Sequence, residues 1–283
     1  MCYCCRLNLV SRPRLTNDFI FRDMTTGDLL RVARTNTRNY NAVGDFMRRT
    51  YSVSKLLRPF FSENDVPRFV AAQRKSGTMI IGSIALSYFT WDAYINSDLD
   101  LLVNRANVVH MRGFLISMGY ALDNRMVVRT LLEAAHDDAP IDLRFPTLGK
   151  SVKSIESIET YRSTSSDRVV RLVMCVREEI EVILGLHSTC TMNFITHARA
   201  YPLYPRATLD YHASTSCFTT DERELEAQVK YRQRGWVPIP CFIIDGDVIH
   251  DSTLDFPDVD RFVGDRYMLR WVLGKERSVE ALG

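Results

Sequence analysis

Asp98 and Asp100, in "SDLDLLV", are separated by one leucine at the start of an apolar run. In a β-strand, residues i and i+2 share a face, with Cα atoms roughly 6–7 Å apart. The two carboxylates would therefore converge on one spot, where they repel each other and cost desolvation unless a cation neutralises them. Mg²⁺, or Mn²⁺ in its place, suits such a pair, because it is commonly held by one or two carboxylates together with substrate phosphates. Upstream, the apolar stretch "TMIIG" reaches Gly82-Ser83 and runs into "SIALSYF". A glycine allows close backbone approach, and free N–H groups at the start of a helix attract phosphate. Gly82 and Ser83 are thus candidate nucleotide-binding residues. Each part also has a plainer reading: Asp98 as a turn cap after "INS", Asp100 as an exposed edge residue, and Gly-Ser as ordinary helix capping. In this order, together, they describe phosphate-and-metal chemistry.

These residues need elements to hold them. The first 75 residues read as helical: Thr25 or Thr26 caps a helix carrying Leu29, Leu30 and Ala33 inward. A second helix carries Val43, Phe46, Met47 and Tyr51, and "VPRFVAAQRKSG" is a third that stops at Gly77. From Thr78 strands alternate with helices. "TMIIG" and "LDLLV" are strands, and "NVVHMRGFLISMGY" is a helix. "APIDLRF" reads as a strand, and "RVVRLVMCV" with "EIEVILGL" as a β-hairpin. "STCTMNFITHARA" and "DERELEAQVKYRQRGW" read as helices, and "DGDVIHD" as an Asp-Gly hairpin turn rather than a calcium loop. Helices followed by mixed strand and helix predict an α+β fold with a helical module at 1–76, a mixed-sheet domain at 77–236 and a helical tail at 237–283.

Composition narrows the class. Of 283 residues, 46% are hydrophobic and 25% charged, as in globular proteins. No run of eighteen apolar residues exists, so no membrane-spanning helix is expected, and "MCYCCRLNLVSRPRL" does not read as a secretory signal. Seven cysteines, scattered and odd in number, favour a reducing compartment, which predicts a cytoplasmic or nuclear protein. His187, Cys190 and His197 lack a fourth ligand at sensible spacing and read as core or capping residues. Residues 1–75 carry 14 Lys/Arg against 6 Asp/Glu, whereas the remainder carries 22 against 28. That basic first quarter is a solvated helical surface or a contact face for nucleic acid or an acidic partner.

The series apolar residue, Gly-Ser, helix, Asp-x-Asp resembles the nucleotidyltransferase fold of the polymerase-beta-like superfamily. With "IEVILGLHSTCTMNFITHARAYPLYPRATLD" and "KYRQRGW" added, roughly residues 25–236 are similar to a family from mushroom-forming fungi, in which a nucleotidyltransferase-like domain follows a helical, F-box-like segment. The resemblance implies a small mixed sheet with flanking helices and a bound nucleoside triphosphate. It also implies Mg²⁺ (or Mn²⁺) held by Asp98, Asp100 and a third carboxylate on a later central strand. Glu181 is the first candidate for that third catalytic and metal-binding position, with Glu179 two residues earlier and Asp142 as alternatives. The implied activity is transfer of a nucleotide monophosphate to an acceptor that the sequence does not specify. The alternative is a non-catalytic interaction protein or F-box-like adaptor that keeps the fold as a scaffold and meets a protein partner through its N-terminal helices. In that segment, "MTTGDLLRVARTNTRNYNAV", the usual leading Leu-Pro is replaced by "NDFIFRDM".

Overall fold

Among the described residues five helices come first: α1 (Arg14–Arg22), α2 (Thr26–Ala33), α3 (Thr37–Thr50), α4 (Val53–Leu57) and α5 (Val66–Ser76). Their ends follow local chemistry. The Thr25 hydroxyl accepts the Asp28 N–H at 3.1 Å, Asn36 accepts the Asn39 N–H at 2.8 Å, and Gly77 at φ 70° closes α5. Leu29 and Val32 of α2 and Val43, Phe46 and Met47 of α3 are buried, while Leu30 and Ala33 pack at the edge of the same core. This computed structural model describes residues 14–90, 94, 97–127, 154–215, 222–239, 241–244, 247–250, 269–273 and 279–281. Asp142 lies outside them.

The rest of the chain builds a mixed α+β body. Among the described residues its main sheet has nine strands in the order β13-β12-β7-β6-β1-β2-β5-β4-β3. The centre is β1 (Met79–Ile81), β2 (Leu99–Asn104) and β5 (Val169–Cys175), with β2 antiparallel to β1 and parallel to β5. One edge is β4 (Ile155–Ser163) and β3 (Tyr120–Val127), and the other is β6 (Asn193–Ile195), β7 (Arg199–Pro202), β12 (Leu269–Val272) and β13 (Val279–Ala281). Helix α6 (Gly82–Thr90) links β1 to β2, and α7 (Val108–Ser117) links β2 to β3. Two further pairs stand apart from this sheet: β8 (Ala213–Thr215) with β9 (Val237–Ile239), and β10 (Cys241–Ile244) with β11 (Asp247–His250). In the latter, Ile244 pairs with Asp247, while the two residues of the expected Asp-Gly turn lie outside the described residues. Among the described residues no helix is long and apolar enough to cross a membrane.

Alternation along β2 sorts the two faces. Leu99, Leu101 and Val103 join a core with Phe21, Leu29, Leu57 and Phe69 of the N-terminal helices. Leu102 points the other way, into a second core with Ile81, Val173 and Cys175. The sheet is thus covered on both sides, which explains its continuous apolar strands. The first core makes the N-terminal helices one layer of the body. Polar contacts reinforce this: Gln73 donates to the Ile195 carbonyl at 2.9 Å, Thr26 to the Phe89 carbonyl at 2.8 Å and Tyr120 to the Phe60 carbonyl at 2.8 Å. On the same face Arg112 of α7 grips the fully buried Glu159 of β4 through two hydrogen bonds, at 2.9 and 2.7 Å. Burial opposes ionisation of Glu159, but donors from Arg112, Tyr161 and Arg125 outweigh it and hold the carboxyl below its ordinary range.

Three expectations are corrected. "EIEVILGL" forms a short helix, α8 (Glu179–Leu184), not a strand. Its buried residues are Val182 and Ile183, followed by Leu186, which is helical rather than alternating spacing. Glu179 and Glu181 occupy the first turn, where the helix dipole favours acids. "STCTMNFITHARA" gives a 3₁₀ turn (Thr189–Thr191) and the strands β6 and β7, because its β-branched residues favour extended backbone and Phe194 and Ile195 are buried on opposite sheet faces. The tail, expected to be helical, contributes strands β9 to β13 where it is described, so the sheet is larger than the small one expected.

Phe69 is fully buried at the junction of α5, α7 and the loop around Phe61. Phe69→Ala should cost about 3–5 kcal/mol. Urea unfolding followed by both far-UV circular dichroism and tryptophan fluorescence should still show one coincident transition, whereas an independent helical module would give two.

Candidate functional site

Asp98 and Asp100 do converge. Asp100 sits on β2 directly across from Ile81 of β1 and Arg171 of β5, and it points to the face that carries Leu102. Asp98 lies just before the strand, two residues away on the same side. Both carboxylates meet one group, the guanidinium of Arg171. Its Nε donates to Asp100 Oδ1 at 2.7 Å, and its Nη2 lies 3.3 Å from Asp98 Oδ2. Asp100 and Arg171 are mostly shielded, and Asp98 is half-exposed. Burial raises the Asp100 carboxyl above the ordinary carboxylate range, against the pull of Arg171. Burial alone would lower the Arg171 guanidinium, but Asp100 and Asp98 together hold its proton more tightly than usual.

The Gly82-Ser83 turn stands beside the pair. Gly82 has φ +70°, and a Cβ built there would lie 2.7 Å from Asp100 Oδ2. Only glycine tolerates both the backbone and the contact. Ser83 opens α6 with its side chain buried. Its Oγ is 3.0 Å from the Tyr231 hydroxyl and accepts from Arg234 Nη1 at 3.1 Å. These two partners come from α10 (Glu222–Gln233), the helix after the short α9 (Pro205–Leu209), and from the turn that follows it, ended by Gly235 at φ +86°. Arg234 also stacks over the Tyr94 ring, 4.1 Å from its centroid, and reaches Ser97 Oγ at 3.4 Å. Lys230 completes a basic rim. Desolvation and the guanidinium groups of Arg234 and Arg171 lower its ammonium from the ordinary lysine value.

The structure separates the remaining sequence candidates from this place. Glu181 and Glu179 belong to α8, which follows the far end of β5. Asn104, at the same end of β2, donates to the Arg177 carbonyl at 3.1 Å, and Ser154, next to the β4 residue paired with Cys175, donates to Glu181 Oε2 at 2.7 Å. Six residues of strand, about 20 Å, lie between Asp98 and that end. Glu181 is therefore not the third carboxylate, and Glu179, in the first turn of the same helix, is not either. The position on the central strand that faces Asp100 is occupied by Arg171, and among the described residues no three His, Cys, Asp or Glu side chains cluster as a metal site. The donor set as folded does not fit Mg²⁺. Both carboxylates are already bonded to a fixed cation, and Lys230 adds further positive charge nearby.

His187 and Cys190 lie in the core, as their spacing suggests. Burial pushes the Cys190 thiol up to about 12, away from the thiolate form, and lowers His187 to about 4. Sequence reading missed Arg171, Lys230, Tyr231 and Arg234. Two signals point to Arg171 and Tyr231: an arginine alone inside the apolar run "VVRLVMC", which needs a buried partner, and the i, i+4 spacing of Ala227 and Tyr231 on α10. No family model matches the chain, and no curated protein or solved structure matches it.

Two measurements probe this arrangement. Gly82→Ala should lose about 1–3 kcal/mol from backbone conformation alone, and more as the new methyl drives Asp100 off Arg171. A loss below about 0.5 kcal/mol in denaturant unfolding would mean that Asp100 does not press on this turn. His187, whose folded value lies below its unfolded one, contributes fully above the unfolded value of about 6.5. Stability should fall as pH drops from there toward 4, by about 3 kcal/mol in all. His187→Gln should flatten that part of the stability–pH curve.

Proposed function

We propose that this chain is a nucleotidyltransferase-like protein whose acidic pair has been given over to a structural arginine, and that it acts as a non-catalytic scaffold rather than as a Mg²⁺-dependent transferase. One observation carries this reading: the guanidinium of Arg171 bonds both Asp98 and Asp100 from the strand position facing Asp100. A metal ion in a transferase site offsets the charge of its carboxylates and leaves ligand positions for phosphate oxygens. Arg171 offsets the same charge with a cation tethered to the chain and leaves no such positions. A divalent cation entering there would have to break a shielded, charge-assisted hydrogen bond and then sit beside the displaced guanidinium. The nucleotidyltransferase-like ancestry is supported by the series of strand, Gly-Ser turn, helix and Asp-x-Asp strand, and by the contact of Asp100 with Gly82. Ser83, the expected phosphate contact, is likewise engaged by Arg234 and Tyr231.

In this reading a protein partner meets the outer surface of the N-terminal helices, since their inner faces are consumed by the shared core. That surface exposes Arg34 and Arg38, which suits an acidic partner.

Thermal melting with Mn²⁺ or Mg²⁺ and a nucleoside triphosphate tests the central claim. The wild-type protein should show no metal-dependent rise. Arg171→Ala, which frees both carboxylates, should lose stability without metal and regain part of it when Mn²⁺ is added. A metal-dependent rise in the wild type that disappears in the double variant Asp98→Ala, Asp100→Ala would restore the transferase reading.

A further inference from the structure

A cavity of about 390 Å³ lies between the N-terminal helices and α6. That volume falls in the range of small-molecule sites. Its walls have two kinds of surface. Tyr51, Phe60, Tyr88 and Tyr94 supply aromatic rings, and Lys55 and Arg168 supply positive charge, while no carboxylate is among the described residues lining it. The hydroxyls of two of these tyrosines are already used inside the protein. Tyr88 donates to the Tyr51 carbonyl at 3.3 Å, and the Tyr51 hydroxyl is bonded to Thr26 Oγ1. What they offer a guest is ring carbon.

Both cations stand at the cavity. The backbone of Arg168 closes the β4–β5 hairpin, its carbonyl accepting the Ser163 N–H at 2.9 Å, and its guanidinium lies 5.9 Å from the centre of the Phe60 ring. Lys55 donates one N–H to the Arg49 carbonyl at 2.8 Å and has two more on the same ammonium. Arg234 does not line the cavity but braces two residues that do, stacking on Tyr94 and donating to Ser97. Aromatic walls with two cations, and no acid among the described lining residues, form a site complementary to a flat, apolar body carrying a negative group.

We propose that this cavity binds a small aromatic anion: a planar ring system bearing a sulfonate, carboxylate or phosphate, with the ring against the tyrosines and Phe60 and the anionic group at Arg168 and Lys55. The site is separate from the Asp98–Arg171 pair, needs no metal and does not depend on the scaffold reading. Negative charge and a ring are both required by its chemistry, so an aromatic amine and an aliphatic anion of the same size should bind poorly.

The full chain is titrated, without metal, with 1-anilinonaphthalene-8-sulfonate by fluorescence and with adenosine 5′-monophosphate by calorimetry, each competed against the other. The expected result is saturable one-to-one binding of at least one probe, weakened by salt. Arg168→Gln and Lys55→Gln should each weaken it about tenfold, as expected for loss of a charge-assisted hydrogen bond. Ser87→Trp, which places an indole in the cavity from α6, should abolish it, and Arg162→Gln, outside the cavity, should leave it unchanged. Melting curves without probe identify any variant that fails to fold, and Lys55→Gln, at an exposed position, keeps the test decisive. No saturable binding of either probe, or binding equal to wild type in both Arg168→Gln and Ser87→Trp, would overturn the proposal.

Discussion

The ion pair that Arg171 makes with Asp98 and Asp100 is the constraint around which the centre of this molecule is arranged. Two carboxylates on one strand face, one of them nearly buried, cannot stand there alone. The desolvation cost and mutual repulsion would unfold the local sheet or force protonation. Arg171 meets that cost because β5 runs parallel to β2 and places the guanidinium opposite Asp100. The consequence spreads outward. Asp100 presses against Gly82, so the β1–α6 turn must be glycine at positive φ, and α6 must start where Ser83 meets Arg234 and Tyr231. Helix α10 is docked by the same contacts. A single charge-balance requirement thus ties β1, β2, β5, α6 and α10 together.

The N-terminal helices depend on a different force. Their attachment is chiefly apolar, through Phe21, Leu29, Leu57 and Phe69 packing onto β2 and α6, with a few hydrogen bonds such as Gln73 to the Ile195 carbonyl fixing position. Burial of side chains this large stabilises by about 1.5–3 kcal/mol each before entropy is counted. That layer also forms one wall of the cavity near Lys55 and Phe60, so the cavity exists only because the helices and the sheet fold as one body.

Much of the helical half was legible in the sequence. Caps at Thr25 and the stop at Gly77 are set by backbone hydrogen bonding and left-handed geometry within a few residues, and the inward positions of α3 follow from helical spacing. The short strand β1, the pairing of β10 with β11 and the i, i+2 convergence of Asp98 and Asp100 were legible for the same reason. "EIEVILGL" was misread because over eight residues alternating and helical apolar patterns overlap. The adjacent Val182 and Ile183, both buried, distinguish them only once a second core is there to receive both.

What the sequence determined by itself, then, was local: where helices begin and end, where two carboxylates must meet, and where a glycine must bend the chain. What the tertiary structure alone decided was the identity of the charge that faces those carboxylates. Candidates for a third acid lay at 142, 179 and 181, and the arginine that takes the place opposite Asp100 lay at 171, inside an apolar run. Only the parallel register of β2 with β5 brings Arg171 to Asp100 and leaves Glu181 at the opposite end of the strands. Pairing across a sheet is set by the best total burial of both faces, and no local window of sequence contains that sum.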